Sequence, residues 1–351
     1  MRFLVASAAL LYGALHAFTS AAQTAGELAP EPHIALLLPL GAGPFVAHAQ
    51  AVRDGFIAAA ERDGAPLPLR IYAATDEAEV TLSGYRQAVT AGARIVVGPL
   101  TRNAVSALAG TRVIPVPTLA LNTPDGATAL PPRFYTLSLQ IETEARLIAR
   151  VAFEEGRRRA YTVAGTDALS KRMNDAFVEE FQRLGGELAD GQIYGGDRES
   201  LERYRAGIEA AKADAIFLAL DAERGRTIKP FLGTTAVYAT SQIYPGSADT
   251  LARFELDDVR FVGMPWMLQA DHAAVMIYPR KDYGGDPDLQ RLYALGIDAY
   301  RAGRLLLDGQ ATFTLDGVTG ALMVVEGRIQ RGLPVARLVN GVVTVSGVAR
   351  P

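Results

Sequence analysis

Two α/β lobes with parallel sheets, followed by a tail of β hairpins, are what the sequence predicts, and three observations predict them. Short continuous apolar runs alternate with segments of helical periodicity. The alternation runs once from His33 to Gly126 and starts again near Tyr135. The length of 351 residues suits two domains at roughly 100–200 residues each. Buried strands separated by helices mean a parallel sheet covered on both faces.

Composition narrows the function before any motif is read. With 49% hydrophobic and 21% charged residues, the chain is neither a disordered tail protein nor a fibrous repeat. Lys+Arg 35 against Asp+Glu 38 gives a net charge of -3, with no basic surface for nucleic acid. Cysteine is absent, which excludes disulfides, thiolate metal sites, a cysteine nucleophile and a lipid anchor through cysteine. The histidines, His16, His33, His48 and His272, lack the spacing of a zinc helix pair. At the N-terminus, Arg2 precedes an uncharged apolar run, Phe3 to Phe18, and Ser20-Ala-Ala22 offers small residues for cleavage. Charged start, apolar core and small-residue exit predict a secretory signal peptide over 1–22. The run is about 16 residues, shorter than the ~20 that a helix needs to span a bilayer. The mature chain is therefore expected to be soluble, with 23–32 a short linker.

The elements follow in order. Ile34 to Leu40 is a continuous apolar run, as for a strand buried on both faces. Gly41-Ala-Gly-Pro-Phe45 turns the chain into a helix marked by Ala49, Val52, Phe56 and Ala60. Leu69 to Ala73 is a strand, Glu77 to Ala91 a helix, and Ile95 to Val97 a strand stopped by Gly98-Pro99. Thr101 caps a helix over Arg102–Ala109, and Val116 to Leu121 forms the next strand. After a strand or crossover at Tyr135–Leu139, Ile141–Glu155 is a helix and Ala160–Ala164 a strand. Asp167 opens a helix to Leu184, Ile193-Tyr194 is strand, and Glu199–Ala211 is helix. Ala215–Leu220, Ala236–Thr240 and Val259–Val262 are buried strands, and Leu289–Leu307 is a long helix. The last forty or so residues alternate apolar runs with Asp316-Gly, Glu326-Gly and Asn340-Gly, which reads as hairpin strands. The fold class is thus two Rossmann-like lobes with parallel sheets joined by multiple crossovers and ending in C-terminal β hairpins. We divide it as 33–137 plus 264–307 for the first lobe and 138–263 plus 308–351 for the second.

Ligands of open α/β sheets sit beyond the carboxyl ends of the strands. The cleft between such lobes is therefore expected to collect Pro44 and Phe45, Thr101, Asn122 and Thr123, Asp167, Asp221, Ser241 and Gln242. Thr101 and the N–H groups after it could hold an anion or carboxylate, and Asp167 or Asp221 an amine. Each also has a plainer role: Thr101, Asp167 and Asp221 as helix caps, Asn122 and Thr123 as turn residues. Met264 and Trp266, at a lobe crossing, are expected as a packed hinge or a partner contact. Catalytic patterns are missing. None of the ten serines lies in G-x-S-x-G, and none of the four lysines follows a glycine as a P-loop requires. The nearest dinucleotide fingerprint, Gly41-Ala-Gly-Pro-Phe-Val46, lacks its third glycine. The expectation is no enzyme, no cofactor and no metal.

A set of segments carries a resemblance. Ile34-Ala-Leu-Leu-Leu-Pro-Leu40, Gln50-Ala-Val-Arg-Asp-Gly-Phe56, Val97-Gly-Pro-Leu-Thr101 and Leu119-Ala-Leu-Asn122 are the first of them. Ile228-Lys-Pro230, Val237-Tyr-Ala-Thr-Ser241, Val259-Arg-Phe261, Met264-Pro-Trp266 and Leu292-Tyr-Ala-Leu-Gly-Ile-Asp-Ala-Tyr300 follow. Thr319-Gly320 and Glu326-Gly-Arg-Ile329 complete the set. Across roughly 33–340 the chain resembles the penicillin-binding protein activator (LppC-like) lipoprotein family. The resemblance implies a type I periplasmic-binding-protein-like fold. It also implies a non-catalytic role in the periplasm, docking on a bifunctional peptidoglycan synthase and stimulating it. Members are typically anchored to the outer membrane through a cysteine, and many carry a preceding helical-repeat domain. Here there is no cysteine, and a short linker stands before the first strand. The alternative is a soluble solute-binding protein for an amino acid or similar small polar ligand, possibly feeding a transporter; an inert envelope scaffold is the third class.

Overall fold

The computed structural model describes residues 30–351 except 42, 127–128, 190 and 247–249. The segment 1–22 read as a signal peptide, and 23–29 of the linker, lie outside the described residues.

The first sheet has the order β2 (Leu69–Ala73), β1 (His33–Leu38), β3 (Ala93–Val97), β4 (Thr118–Ala120) and β5 (Phe134–Leu137), all parallel. Helices α1 (Val46–Asp63), α2 (Ala78–Thr90) and α3 (Arg102–Ala109) connect its strands. β1 is buried at every position, as its unbroken apolar run requires. It stops two residues before the expected Leu40 because Pro39 has no N–H to give a neighbouring strand. β4 is shorter than expected for the same reason, with Pro115 and Pro117 ahead of it. At the end of β3, Gly98 has a φ of 109°, and a Cβ there would lie 2.1 Å from the Leu37 carbonyl oxygen, so only glycine fits.

The second sheet runs β11 (Val259–Val262), β10 (Ala236–Ala239), β9 (Ala215–Ala219), β6 (Arg159–Ala164), with the two-residue strands β7 (Glu187–Leu188) and β8 (Gln192–Ile193) on the outer edge of β6. These strands are also parallel. They alternate with α4 (Ile141–Glu154), α5 (Ala168–Arg183), α6 (Arg198–Ala211), α7 (Ala222–Ile228) and α8 (Thr250–Glu255). α4 and α5 cover one face, where Phe177 stacks on Phe217 at a ring separation of 4.0 Å. Asp221 opens the short α7 as a helix cap, and α8 adds a helix where the sequence analysis assigned no element.

The chain then returns. α9 (Pro265–Leu268) and α10 (Pro287–Leu307) pack into the first core with α1. Two glycines let α1 and α10 touch: a Cβ on Gly55 would sit 1.9 Å from the Tyr293 carbonyl oxygen, and one on Gly296 2.0 Å from that of Val52. The tail forms β12 (Thr314–Asp316), β13 (Ala321–Val325), β14 (Arg328–Val339) and β15 (Val342–Ala349). Asn340 and Gly341 both take positive φ in the β14–β15 turn, as the Asn-Gly pair predicts.

β14 belongs to both sheets. Arg328 and Ile329 pair with Thr136 and Leu137 of β5, while Val335 to Arg337 pair antiparallel with β11. The Gly332 and Pro334 inside it fall where the strand passes between sheets, and the Pro334 carbonyl accepts from Gly263 N–H at 3.2 Å. The tail assigned wholly to the second lobe therefore divides. β12, β13 and the start of β14 extend the first sheet, and only the rest of β14 and β15 join the second. Glycine and proline read as breakers in the sequence, yet here they mark one strand changing sheets. The chain passes between the lobes at 138–140, at 263–264 and within β14, so the lobes are joined by several crossings.

Among the described residues no helix is long and apolar enough to cross a membrane.

Candidate functional site

The clearest cleft feature is a pocket of about 510 Å³ bounded by the carboxyl ends of first-sheet strands, α10 and the start of α5. Its apolar wall is Leu100, Leu121, Leu139, Leu292 and Leu295, with Phe45 at the rim. Its polar side is the N-terminus of α3. Thr101 occupies the cap position, yet its side chain makes no cap hydrogen bond. The residue is only 6% exposed and its hydroxyl has no partner. The first N–H groups of a helix also lack partners within it and carry the positive end of the helix dipole. A buried free hydroxyl beside that end is an unfilled place for an acceptor, ideally an anion.

Neighbouring groups are fixed. Asn122 donates from Nδ2 to the Leu100 carbonyl at 3.1 Å and accepts from Thr123 N–H at 2.9 Å. Asn103 donates to Asp76 at 2.8 Å. Arg172 reaches the pocket from α5 and donates to Glu142 at 2.6 Å. Burial pushes the Glu142 carboxyl up, but the hydrogen bond and charge of Arg172 outweigh it and hold the group below its ordinary pKa. The pocket thus offers an apolar half, an anion-seeking helix end and one nearby carboxylate, Asp76. That is suited to holding a small amphipathic ligand. Among the described residues no group of three His, Cys, Asp or Glu could hold a metal ion.

Of the residues expected in the cleft, Phe45, Thr101 and Asn122 line this pocket. Pro44 is exposed beside it, and Thr123 lines a different cavity. Asp167 and Asp221 do come together at the carboxyl end of the second sheet, but each is spent. Asp167 caps α5, accepting from Ser170 N–H at 2.8 Å, and receives Arg224 at 2.8 Å. Those bonds, Ser170 first, hold its carboxyl far below the usual range. Asp221 caps α7 and accepts from the same guanidinium at 2.8 Å. Arg224 already fills the place that a ligand amine was expected to take. Ser241 is buried; its N–H donates to Glu144 and its carbonyl accepts from Arg291, each at 3.0 Å, and Gln242 is half-buried next to it. Met264 and Trp266 are 2% and 0% exposed. Trp266 donates to Gln290 at 3.0 Å and lies under Arg280, so neither presents a surface to a partner. Sequence reasoning missed His48, Asp76, Arg102, Asn103 and Arg172. His48 lies one helical turn beyond Phe45, a spacing that could have found it; Arg172 comes from the other lobe and left no local signal.

A two-lobed α/β fold with several crossings and a pocket at the strand ends defines the type I periplasmic-binding-protein-like fold class. The family model described as "LppC putative lipoprotein" matches residues 14–341, and the chain belongs to that family. Among curated proteins it is 27% identical over 284 residues to "Penicillin-binding protein activator LpoA" of Pantoea ananatis, covering 68% of this chain and 42% of that one. The counterpart in Edwardsiella piscicida is 29% identical over 293 residues, covering 71% and 42%. The chain therefore spans less than half the length of these relatives. Among solved structures, a "putative branched-chain amino acid ABC transporter" from Chromobacterium violaceum superposes with a TM-score of 0.75 at 36% identity, covering 88% of this chain and all of that one. The C-domain of LpoA from Haemophilus influenzae, described as a regulator of PBP1A, gives a TM-score of 0.75 at 22% identity over 90% of this chain and supports the shared fold.

Proposed function

We propose that the chain is a non-catalytic periplasmic regulator that docks on a bifunctional peptidoglycan synthase and stimulates it. The observation that carries this reading is the family match over nearly the whole chain, to relatives named as penicillin-binding protein activators. The test combines the purified chain with such a synthase from the same envelope. Saturable binding with faster glycan polymerisation or crosslinking is expected. No binding and no change in either rate would overturn the reading.

One observation favours a second reading, a solute-binding protein for an amino acid or similar small polar ligand. The unpartnered Thr101 hydroxyl faces burial with nothing to bond, in a pocket of suitable size. The 36% identity to a protein described as a "putative branched-chain amino acid ABC transporter" supports it as well. Calorimetry against amino-acid and muropeptide mixtures separates the two: a tight small ligand without any effect on the synthase selects the second.

A further inference from the structure

A second cavity, of about 220 Å³, lies on the lobe crossings and is lined differently. Four arginines border it, Arg146 and Arg150 from α4 and Arg328 and Arg331 from β14, and no Asp or Glu is among the described residues that line it. The hydroxyl residues Thr136, Ser138 and Thr143 add donors, with Thr123 beyond them. Thr143, Arg146 and Arg150 stand at helical spacing on one face of α4.

Three of the four arginines are engaged. Arg146 pairs with Glu179 at 3.0 Å, Arg150 pairs with Glu180 at 2.5 Å and donates to the Arg350 carbonyl at 3.2 Å, and Arg328 has an interaction of its own. Arg331 is the telling group. It is 2% exposed; its Nη1 donates to the Thr319 carbonyl at 3.1 Å, while its Nη2 has no hydrogen-bond partner. Nη2 faces Glu144 Oε1 across 3.8 Å, an ion pair longer than a hydrogen bond, while Ser241 N–H takes the other oxygen, Oε2. A buried guanidinium with an unused donor is costly unless something supplies the acceptor.

We infer that this cavity is a binding site for a phosphate-type oxyanion. Planar guanidinium forks match the oxygens of phosphate, and hydroxyls complete its shell. A water takes about 30 Å³ of liquid, so the volume holds roughly seven waters' worth, enough for phosphate or pyrophosphate. It falls below the roughly 300 Å³ at which pockets for drug-sized molecules begin, which favours a bare anion over an enclosed nucleotide. Most of the lining comes from β5, the segment after it, α4 and β14, which carry the chain between sheets, and Pro351 closes one side. An anion held there ties those segments together and so fixes one lobe against the other. The site adjoins the pocket at Thr101, with Gln140 lining both, and its failure would leave the proposed regulator role standing.

Inorganic pyrophosphate is titrated into the purified chain by calorimetry, and flotation with phosphatidic-acid vesicles, phosphatidylcholine vesicles as control, tests a lipid headgroup as the source. Sub-millimolar binding of pyrophosphate that weakens as salt is raised is expected. Flotation only with phosphatidic acid, reversed by pyrophosphate, assigns the headgroup; binding of pyrophosphate without flotation assigns the free anion. Arg146→Ala combined with Thr143→Val, both on the helix surface, weakens binding at least tenfold with the melting curve kept. Arg331→Lys abolishes it; should that variant fail to fold, the surface pair decides alone. No heat from the intact chain, or equal affinity in the surface variant, overturns the site. Binding seen only after removal of 350–351 also overturns it, because the chain itself would then fill the cavity.

Discussion

Thr101 and Thr319 are both buried threonines, and their partners separate them. Thr319 is fully buried and donates its hydroxyl to Asp298 at 2.6 Å, while its N–H donates to the same carboxylate at 2.7 Å. Thr101 has a hydroxyl with no partner. Replacing the first with valine strands part of a buried carboxylate and should cost about 2 kcal/mol. Replacing the second removes an unsatisfied group and should leave stability within about 0.5 kcal/mol or raise it. Urea denaturation of Thr319→Val and Thr101→Val measures both; equal losses would refute the contrast. The same comparison sets Asp167 and Asp221 apart from Thr101: their oxygens accept from backbone N–H groups as helix caps and from Arg224.

Elements are joined by charge as well as by apolar packing. Glu180 of α5 is buried and receives Arg183 of its own helix and Arg150 of α4. These bonds, Arg183 first, hold its carboxyl at about 2 against an ordinary 4.5 despite its burial. A depressed carboxyl stabilises the fold at pH values above its unfolded pKa. That contribution is lost as pH falls from about 4.5 toward about 2. Glu180→Gln should lower stability at pH 7 by on the order of 2 kcal/mol and flatten this acid limb. Thermal melts from pH 7 to pH 3 read it, and an unchanged limb would dismiss the role. The α1–α10 contact works by size instead: Gly55 and Gly296 have no side chains to keep the helices apart.

At the scale of the molecule, buried polar groups stand where the lobes meet. Arg291 of α10, in the first lobe, donates to the carbonyl of Ser241 beside the second sheet at 3.0 Å and pairs with Asp288 at 2.6 Å. Glu144 accepts from the N–H of the same serine. The Ser241 backbone is thus held from α4 of its own lobe and from α10 of the other, and only the Arg291 bond ties the two lobes together there. Arg291→Met keeps the bulk and removes the donor. It should destabilise by about 1–3 kcal/mol and enlarge the radius of gyration seen by small-angle scattering; an unchanged radius would show that the lobes are held elsewhere.

Much of the fold was legible in the chain itself. Continuous apolar runs such as Ile34–Leu38 can be satisfied only by a strand covered on both faces, and Asn340-Gly341 can take the positive φ that a tight hairpin needs. The helix over Arg102–Ala109 and its start at Thr101 are equally local. What folding alone decided was which polar atoms remain without partners and which distant segments meet. No spacing shows that Arg224 occupies two aspartates, that Arg172 crosses to the Thr101 pocket, or that β14 serves both sheets. Local conformation depends on neighbours in sequence, whereas the availability of a donor depends on groups brought near from far along the chain.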